Sequence, residues 1–482
     1  MNAPMMHADA PAIPADFTAC HDAQREAHLQ NPEPDYRERL ADLASLGRLI
    51  KDNQQAIVEA ISRDYGNRSE FETLFGEIFV VLEGIKSTSK HLKKWMKPQR
   101  RQVDVLLYPG ASNTLIPQPL GVVGVIVPWN FPINLTFSPL TAIFAAGNRA
   151  MVKMSENSQH LADLLMRVSP RYFPETKLKF FDDGGGRGPA FSSIPFDHLL
   201  FTGSGATGRA VMANAARNLT PVTLELGGKA PAIVGPDFPV KTAAERIMWA
   251  KMFNAGQICT NVDYVFLPEE GVTEFVGHCK RLFAERFPDI NANDFTSIID
   301  ERSYERLQHT LEDARNKGAT LVNLAQGQRP DRSVRKFAPH LVLNPTADMI
   351  VSQREIFGPI LPIRTYRDKT EVARYINAHD RPLALYPFTR DKQLQRFYIS
   401  HVMSGGVSVN EAMLHIVQHD LPFGGVGPSG MGHYHSREGF TTFSKLRPVF
   451  RQGPMSGIQM LLQPPYHGKA LKLIKLLIKL KG

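Results

Sequence analysis

Cysteine is scarce in this chain of 482 residues: there are three, at positions 20, 259 and 279. None forms a C-x-x-C pair, and their spacing gives no disulfide framework, so a reducing cytoplasmic compartment is the expectation. No cluster of His, Cys, Asp and Glu has the spacing of a metal site. No uninterrupted apolar run is long enough to span a bilayer, which takes roughly 18 residues. The first 16 residues are rich in Ala and Pro, with neither a basic start nor an apolar core. They read as a disordered leader, not a signal peptide. There is no internal repeat of fixed period and no long low-complexity linker.

What is present is ordinary for a soluble globular protein: 43% hydrophobic and 21% charged residues. The length suggests about three structural units. The net charge of +9 is concentrated in two places. One runs from Lys86 through Lys90, Lys93, Lys94 and Lys97 to Arg100 and Arg101. The other is the C-terminal series Lys469, Lys472, Lys475, Lys479 and Lys481. Neither carries the interleaved aromatics of a nucleic-acid platform, so no nucleic acid is expected as a partner.

Residues 17–97 read as helical. Leu40, Leu43, Leu46 and Leu49 recur on one face, as do Phe71, Leu74, Phe75, Ile78, Phe79 and Leu82. Val103, Val105 and Leu107 before Pro109-Gly110, and Leu115-Ile116 after it, predict a hairpin or extended arm. From Gly121 the pattern turns to strand–loop–helix alternation. Val122–Val127 is a continuous apolar run, as in a parallel strand buried on both faces. Further strands are predicted at 150–154, 179–181, 198–201, 222–226, 232–234, 264–267, 341–343, 361–363 and 406–409. Helices are predicted at 158–168, 240–254, 272–287, 304–318 and 370–379. Such alternation predicts an α/β fold with a doubly wound parallel sheet.

Gly203-x-Gly205-x-x-Gly208 follows a strand and opens a helix, so its backbone can approach a phosphate at the helix start. Glu225 lies near where a ribose-binding acid would stand. It sits, however, at a strand end before Gly227-Gly228, which argues for a different task. Cys259 stands in Asn254-Ala-Gly-Gln-Ile-Cys-Thr260, a loop between a helix and an apolar strand, where rigid neighbours can present a thiol to a cleft. A small buried hydrophobe is the alternative for an isolated cysteine.

Six segments, in order, resemble the motifs of the aldehyde dehydrogenase superfamily. They are Pro128-Trp-Asn-Phe-Pro132, Phe201-Thr-Gly-Ser204, Leu224-Glu-Leu-Gly-Gly-Lys-Ala-Pro231, Asn254–Thr260, Glu355-Ile-Phe-Gly-Pro359 and Leu421-Pro-Phe-Gly-Gly-Val-Gly-Pro-Ser-Gly430. The resemblance covers roughly residues 40–445. Ile258, the short N-terminal region and the C-terminal pattern resemble the class 3 branch, which includes coniferyl aldehyde dehydrogenases. Met154 stands where the family often has Pro.

The resemblance implies a Cys259 nucleophile that forms a thiohemiacetal and then a thioester. It implies Asn130 as oxyanion donor and Glu225 as the base for water. Trp129, Lys153, Glu156, Gly203, Ser204, Gly208, Glu355 and Phe357 would contact NAD, with NADP possible, and Lys153 and Glu156 would hold the adenosine ribose. A carboxylate there would repel a 2′-phosphate. Lys229 is expected to be structural. The implied reaction is non-acylating oxidation of an aldehyde to a carboxylate, with an aryl or phenylpropenyl aldehyde such as coniferyl aldehyde favoured, giving ferulate. A medium-chain aliphatic aldehyde and a coenzyme A-acylating reaction are the alternatives.

The expected organisation is an NAD(P)-binding domain over 17–97 and 121–225 and a catalytic domain over 226–414. A small β-arm for oligomerisation, with bridging segments, takes 98–120 and 415–450, and a homodimer is expected. The tail, 451–482, reads as a basic amphipathic helix. It would pack on its own or a partner subunit, or lie on an anionic membrane surface, giving a cytoplasmic protein with peripheral membrane contact.

Overall fold

The computed structural model describes residues 11–105, 107–454, 463, 464 and 466–481. Residues 1–10 of the expected leader lie outside the described residues, and helix Ala15–Gln30 begins before that leader was expected to end.

Local chemistry sets the opening helices. Asp35 caps helix Tyr36–Asp52 by accepting from the Glu38 N–H at 2.9 Å, while the Glu38 carboxylate accepts from the Asp35 N–H at 2.6 Å. This reciprocal box satisfies donors that the helix start leaves free. Leu43, Leu46, Leu49 and Ile50 are then buried on one face. Helix Val80–Trp95 packs beside helix Tyr36–Asp52, and both cover helix Asn134–Ala145. The last is apolar nearly all round, which suits an element enclosed by others.

Those helices cover one face of a six-stranded sheet. Its order is Gly430–Met431, Val222–Leu226, His198–Gly203, Val122–Ile126, Arg149–Lys153, Leu178–Phe181. All neighbours run parallel except the Gly430–Met431 edge. Val122–Ile126 is buried at every position, as its unbroken apolar run predicts. From this central strand the chain first winds outward through Arg149–Lys153 to Leu178–Phe181. It then returns to place His198–Gly203 on the other side. That reversal is a topological switch point, and ligands bind such sheets in the crevice at the carboxyl ends of the strands.

A seven-stranded sheet follows, ordered Thr320–Asn323, His340–Leu343, Ile360–Tyr366, Tyr264–Pro268, Pro231–Val234, Ala384–Phe388, Gly406–Val407. Only the first pair is antiparallel. Its core includes helices Val240–Met252, Val272–Arg286 and Glu301–Asn316. Strand Ala384–Phe388, fully buried, carries no alternation and escapes a periodicity reading.

The third sheet joins Gln99–Arg101, Ser112–Pro119 and Ser444–Arg451, with the last pairing along the whole of the second. The hairpin expectation needs correction here. Val103, Val105 and Leu107 do not form its first strand, which is displaced to Gln99–Arg101. Val105 is exposed, so no core holds that run in the sheet. The 406–409 strand is likewise shortened to Gly406–Val407, and helix 240–254 ends at Met252.

The C-terminal helix forms, over Lys469–Lys481. Leu471, Leu473, Ile474, Leu476 and Ile478 on it are all exposed, so its apolar side is not packed against the chain among the described residues. Among the described residues no helix is long and apolar enough to cross a membrane.

One buried ion pair ties the helical cover to the sheet. Arg68 donates to Glu77 at 2.7 Å, and both side chains are fully enclosed. The other Glu77 oxygen accepts from the N–H groups of Ile133 and Asn134, at 2.6 and 3.1 Å, where helix Asn134–Ala145 begins. Replacing Arg68 by Met would strand a buried carboxylate. A loss of about 3–5 kcal/mol of stability is expected. Urea unfolding measures it, and a loss below about 1 kcal/mol, the range of an exposed pair, would contradict this account.

Candidate active site

The helix before Cys259 stops abruptly at Met252. Asn254, Ala255 and Gly256 then all take positive φ, at 52, 48 and 77°. Gly256 is required on two grounds, since a side chain there would also strike the Gly358 carbonyl. Asn254 and Ala255 have no such excuse, and residues held this way cost about 1–3 kcal/mol each. The surroundings hold them. The Asn254 N–H donates to Glu72 at 2.9 Å. Its side-chain amide donates to the Tyr65 hydroxyl, the Asn130 carbonyl and the Gln257 carbonyl, at 3.2, 3.3 and 3.1 Å. Gln257 is fixed in turn by bonds to the Asn254 and Ser297 carbonyls and from the Ile299 N–H. Cys259 follows this braced turn and precedes strand Tyr264–Pro268.

The thiol lies in the wall between two cavities. One is apolar, with about 730 Å³ of empty space, and is walled by rings such as Phe75, Phe131, Trp249, Phe253 and Phe423. The other lies at the carboxyl ends of the six-stranded sheet. Trp129, Asn130, Gly203, Ser204, Glu225, Glu355 and Phe357 share it with Cys259. Residues from four separate stretches of the chain are therefore brought to one thiol.

Asn130 is buried and donates one amide N–H to the Gln257 carbonyl at 3.2 Å. Its amide carries a second N–H, which has no partner in the chain among the described residues. Glu225 is buried with both carboxylate oxygens unbonded, and burial holds its pKa well above the ordinary carboxyl range. Burial, then the Glu355 and Glu225 carboxyls, push the Cys259 thiol up to about 12, although the N–H groups of Cys259 and Thr260 favour its thiolate. Glu355 is pushed up to about 8, first by burial and then by Asp263. Burial thus disfavours charge at the thiol and at both carboxyls.

Phe357 has a positive φ of 48° and meets Trp129 edge to face, with centroids 5.5 Å apart. Arg306 holds this loop by donating to the carbonyls of Ile356 and Phe357, at 2.6 and 3.3 Å. Lys229 pairs with Asp263 and donates to the Val351 and Arg354 carbonyls, and Asp263 accepts from the Ile356 N–H. A side chain at Gly227 would collide with the Glu355 carboxylate. Sequence reasoning missed Arg306 and Asp263. An isolated charged residue on a helix or loop gives no signal of what it clamps.

A further cavity continues from Trp129, Gly203 and Ser204 to Lys153 and Glu156, beside the start of helix Gly205–Ala216. This slot along the switch point is shaped for an elongated ligand. A Cβ at Gly203 would meet the Phe201 ring at 2.6 Å, so the backbone must stay bare there. Ser204 caps the helix by accepting from the Thr207 N–H. Lys153 pairs with Asp183, another residue that sequence reasoning did not find. These residues suit a dinucleotide: free helix N–H groups for phosphate, and a lysine with carboxylates for ribose hydroxyls. Gly208 requires correction as a contact residue. It lines neither cavity and is buried, where a Cβ would lie 2.7 Å from Leu226. Its service is close packing of helix on strand.

A dinucleotide slot ending at a half-buried thiol, with an amide and a carboxyl beside it, suits a pyridine-nucleotide dehydrogenase. The chain belongs to the aldehyde dehydrogenase family, whose profile matches residues 5–449. It is an oxidoreductase that oxidises aldehydes with NAD(P). It is 50% identical over 459 residues to "Probable coniferyl aldehyde dehydrogenase" of Pseudomonas aeruginosa, covering 95% of this chain and 94% of that one. It is 44% identical over 453 residues to the coniferyl aldehyde dehydrogenase of Pseudomonas sp. strain HR199, covering 93% of each. The solved structure of substrate-bound Staphylococcus aureus AldH superposes with a TM-score of 0.89 at 32% identity, over 96% of this chain and 99% of that one.

With its pKa pushed up to about 12, the Cys259 thiol of the unliganded protein is almost wholly protonated at neutral pH. Alkylation of Cys259 by iodoacetamide is expected to rise about tenfold per pH unit between roughly pH 7 and 9, because the thiolate is the reactive form. A Cys259→Ala control removes any contribution from Cys20 and Cys279. A rate that levels off near neutral pH would contradict the electrostatic reading.

Proposed function

We propose that Cys259 is the nucleophile, Asn130 and the Cys259 backbone N–H the oxyanion donors, and Glu225 the base for hydrolysis. The substrate is an aryl or phenylpropenyl aldehyde such as coniferyl aldehyde, and the product its carboxylate, here ferulate. The observation that carries this reading is the position of Cys259 between an aromatic-walled apolar cavity and the cavity holding Asn130 and Glu225. Planar apolar walls suit a conjugated ring better than they suit a charged or sugar-like aldehyde. The names of the two Pseudomonas relatives support the same class.

The sulfur adds to the carbonyl carbon, and negative charge develops on the former carbonyl oxygen. The uncommitted Asn130 N–H and the Cys259 N–H are placed to receive it. A bound nicotinamide supplies the hydride acceptor that turns the adduct into a thioester. Glu225, bonded to nothing in the chain, then takes a proton from the water that attacks the thioester. Its burial makes it a stronger base once ionised. The carboxylate leaves, and the Cys259 thiol regains its proton.

Lys153 and Glu156 hold the adenosine ribose, and Gly203 and Ser204 meet the phosphates at the helix start. Trp129, Glu355 and Phe357 position the nicotinamide end. Asp183, paired with Lys153, adds a second carboxylate near the ribose site, which favours NAD over NADP. The chain works in the cytoplasm as a homodimer assembled through the three-stranded sheet.

Cys259→Ala is expected to abolish turnover. Asn130→Ala should lower kcat by about 10²–10³. Glu225→Gln should lower kcat by about 10²–10⁴ while leaving a single-turnover burst of NADH, because acylation precedes the water step. A panel of aldehydes read by NADH formation tests the substrate class. Faster turnover of medium-chain alkanals than of any aryl aldehyde would refute it. A strict requirement for coenzyme A would replace hydrolysis by acyl transfer and remove the role of Glu225.

The exposed apolar side of helix Lys469–Lys481, bearing five lysines and no acid, suits an anionic lipid surface. Vesicles containing phosphatidylserine should sediment the intact protein and not one truncated after residue 454. Equal recovery of the two would rule the tail out as a membrane contact.

A further inference from the structure

The apolar cavity beside Cys259 does not end at a blank wall. Val80, Ile416 and His435 also bound a second hollow, with about 430 Å³ of empty space. The lining changes character across these residues. Towards the thiol it is aromatic and aliphatic. Beyond them it includes Thr88, Ser138, Thr141, His419 and Ser436.

Several of those hydroxyls are already committed. Ser138 donates to the Asn134 side chain and Thr141 to the Phe137 carbonyl, each at 2.7 Å. Ser436 donates to Asp420 at 3.3 Å. The two imidazoles differ. Among the described residues, neither His435 nor His419 has a hydrogen-bond partner for a ring nitrogen. Both residues are half-buried, and both line the hollow.

His435 is also held in an uncommon backbone state, with φ 93° and ψ 149°. This is a region that glycine enters freely and other residues rarely do. Ser436 follows at φ 52°. The conformation is locked from outside. The Gly439 N–H donates to the His435 carbonyl at 2.8 Å. The His435 ring lies 5.6 Å from Phe423 and 4.6 Å from Tyr434, centroid to centroid. Glycine would relieve the backbone, but it would take a donor and an acceptor away from the wall of an apolar cavity. Burial, with His419 nearby, lowers the His435 pKa to about 4, so the ring is neutral and offers one of each.

We propose that His435 is a specificity-determining residue: it hydrogen-bonds an oxygen substituent at the end of the substrate remote from the aldehyde, with the hollow behind it giving room for that group. The substituent is a ring hydroxyl or methoxyl. The neutral ring accepts from a phenolic O–H or donates to a methoxyl oxygen. An unsubstituted ring leaves it unpaired, and a site built to bond a hydroxyl rejects the analogue lacking one more strongly than an apolar wall can. The inference rests on the reading of the substrate as an aryl or phenylpropenyl aldehyde.

The test compares cinnamaldehyde, 4-hydroxycinnamaldehyde and coniferyl aldehyde as substrates of the NAD-supplemented enzyme, by kcat/KM. His435→Phe keeps a ring for Phe423 and Tyr434 and removes both nitrogens. The ratio of hydroxylated to unsubstituted substrate should exceed about tenfold in the wild type and fall by about tenfold in the variant. A general loss affecting all three substrates cancels in that ratio, so an unchanged ratio overturns the proposal. Should the variant not fold, the wild type alone decides, and equal kcat/KM for cinnamaldehyde and 4-hydroxycinnamaldehyde overturns it. Oxidation of cinnamaldehyde without preference for the hydroxyl refutes His435 alone. Failure to oxidise any of the three refutes the substrate reading beneath it.

Discussion

The carbonyl oxygen of Asn130 accepts from three donors: the Tyr65 hydroxyl at 3.1 Å, Arg68 at 3.0 Å and the Asn254 amide at 3.3 Å. Tyr65 and Arg68 come from one stretch of the chain and Asn254 from another, and the acceptor lies just past the central strand Val122–Ile126. The bond from Arg68 is available only because Glu77 neutralises that guanidinium inside the protein. The bond from Asn254 joins the turn that precedes Cys259. One carbonyl thus fixes the backbone of Asn130 and the turn before Cys259 to each other. In a low-dielectric interior these bonds are strong and their loss is costly. That is how two consecutive non-glycine residues at positive φ persist where the chain must turn sharply into the thiol.

The same burial that strengthens this junction sets the electrostatics beside it. Glu225, Glu355 and Cys259 all have raised pKa values, with burial the largest cause for each. A thiolate formed alone here would face the Glu355 and Glu225 carboxyls. Ionisation therefore has to be coupled: the thiol proton must leave as negative charge is received elsewhere in the site. The N–H groups of Cys259 and Thr260, which favour the thiolate, are fixed dipoles that need no reorganisation to do so. A thiol pushed up to about 12 also has little reactivity towards adventitious electrophiles at neutral pH.

Much of this was legible in the sequence, for identifiable reasons. Val122–Val127 reads as a buried parallel strand because six consecutive apolar residues have no other use at that length. Asn130, Glu225 and Cys259 stand in short motifs whose order the fold preserves. What escaped depends on distance in space. Gly208 looks like a phosphate-loop glycine, yet its missing side chain makes room for Leu226. The helix before Cys259 continues in its apolar pattern to Asn254, but tertiary bonds from Glu72 and Tyr65 pull the chain out of the helix after Met252. Arg306, Asp183 and Asp263 have unremarkable sequence surroundings, and their partners lie on other elements. Val103 and Val105 alternate as a strand should, but Val105 is exposed, and the pairing slides to Gln99–Arg101.

The two sides of Cys259 are constrained unequally, and this bears on how substrate choice can vary while the chemistry does not. On the coenzyme side almost every group is fixed by bonds crossing between elements: Lys229 to Asp263, Asp263 to the Ile356 N–H, Arg306 to the next carbonyls. Moving one group there disturbs several others. On the substrate side the wall is built from rings and aliphatic chains that touch without directional bonds, and such walls tolerate exchange of similar volume at modest cost. His435 departs from that pattern. It is a polar group on the permissive side, held in a strained backbone as firmly as anything on the other. A polar side chain in a strained backbone, set in a wall otherwise made of rings and aliphatic chains, is where the proposed selectivity among aldehydes of similar shape would act.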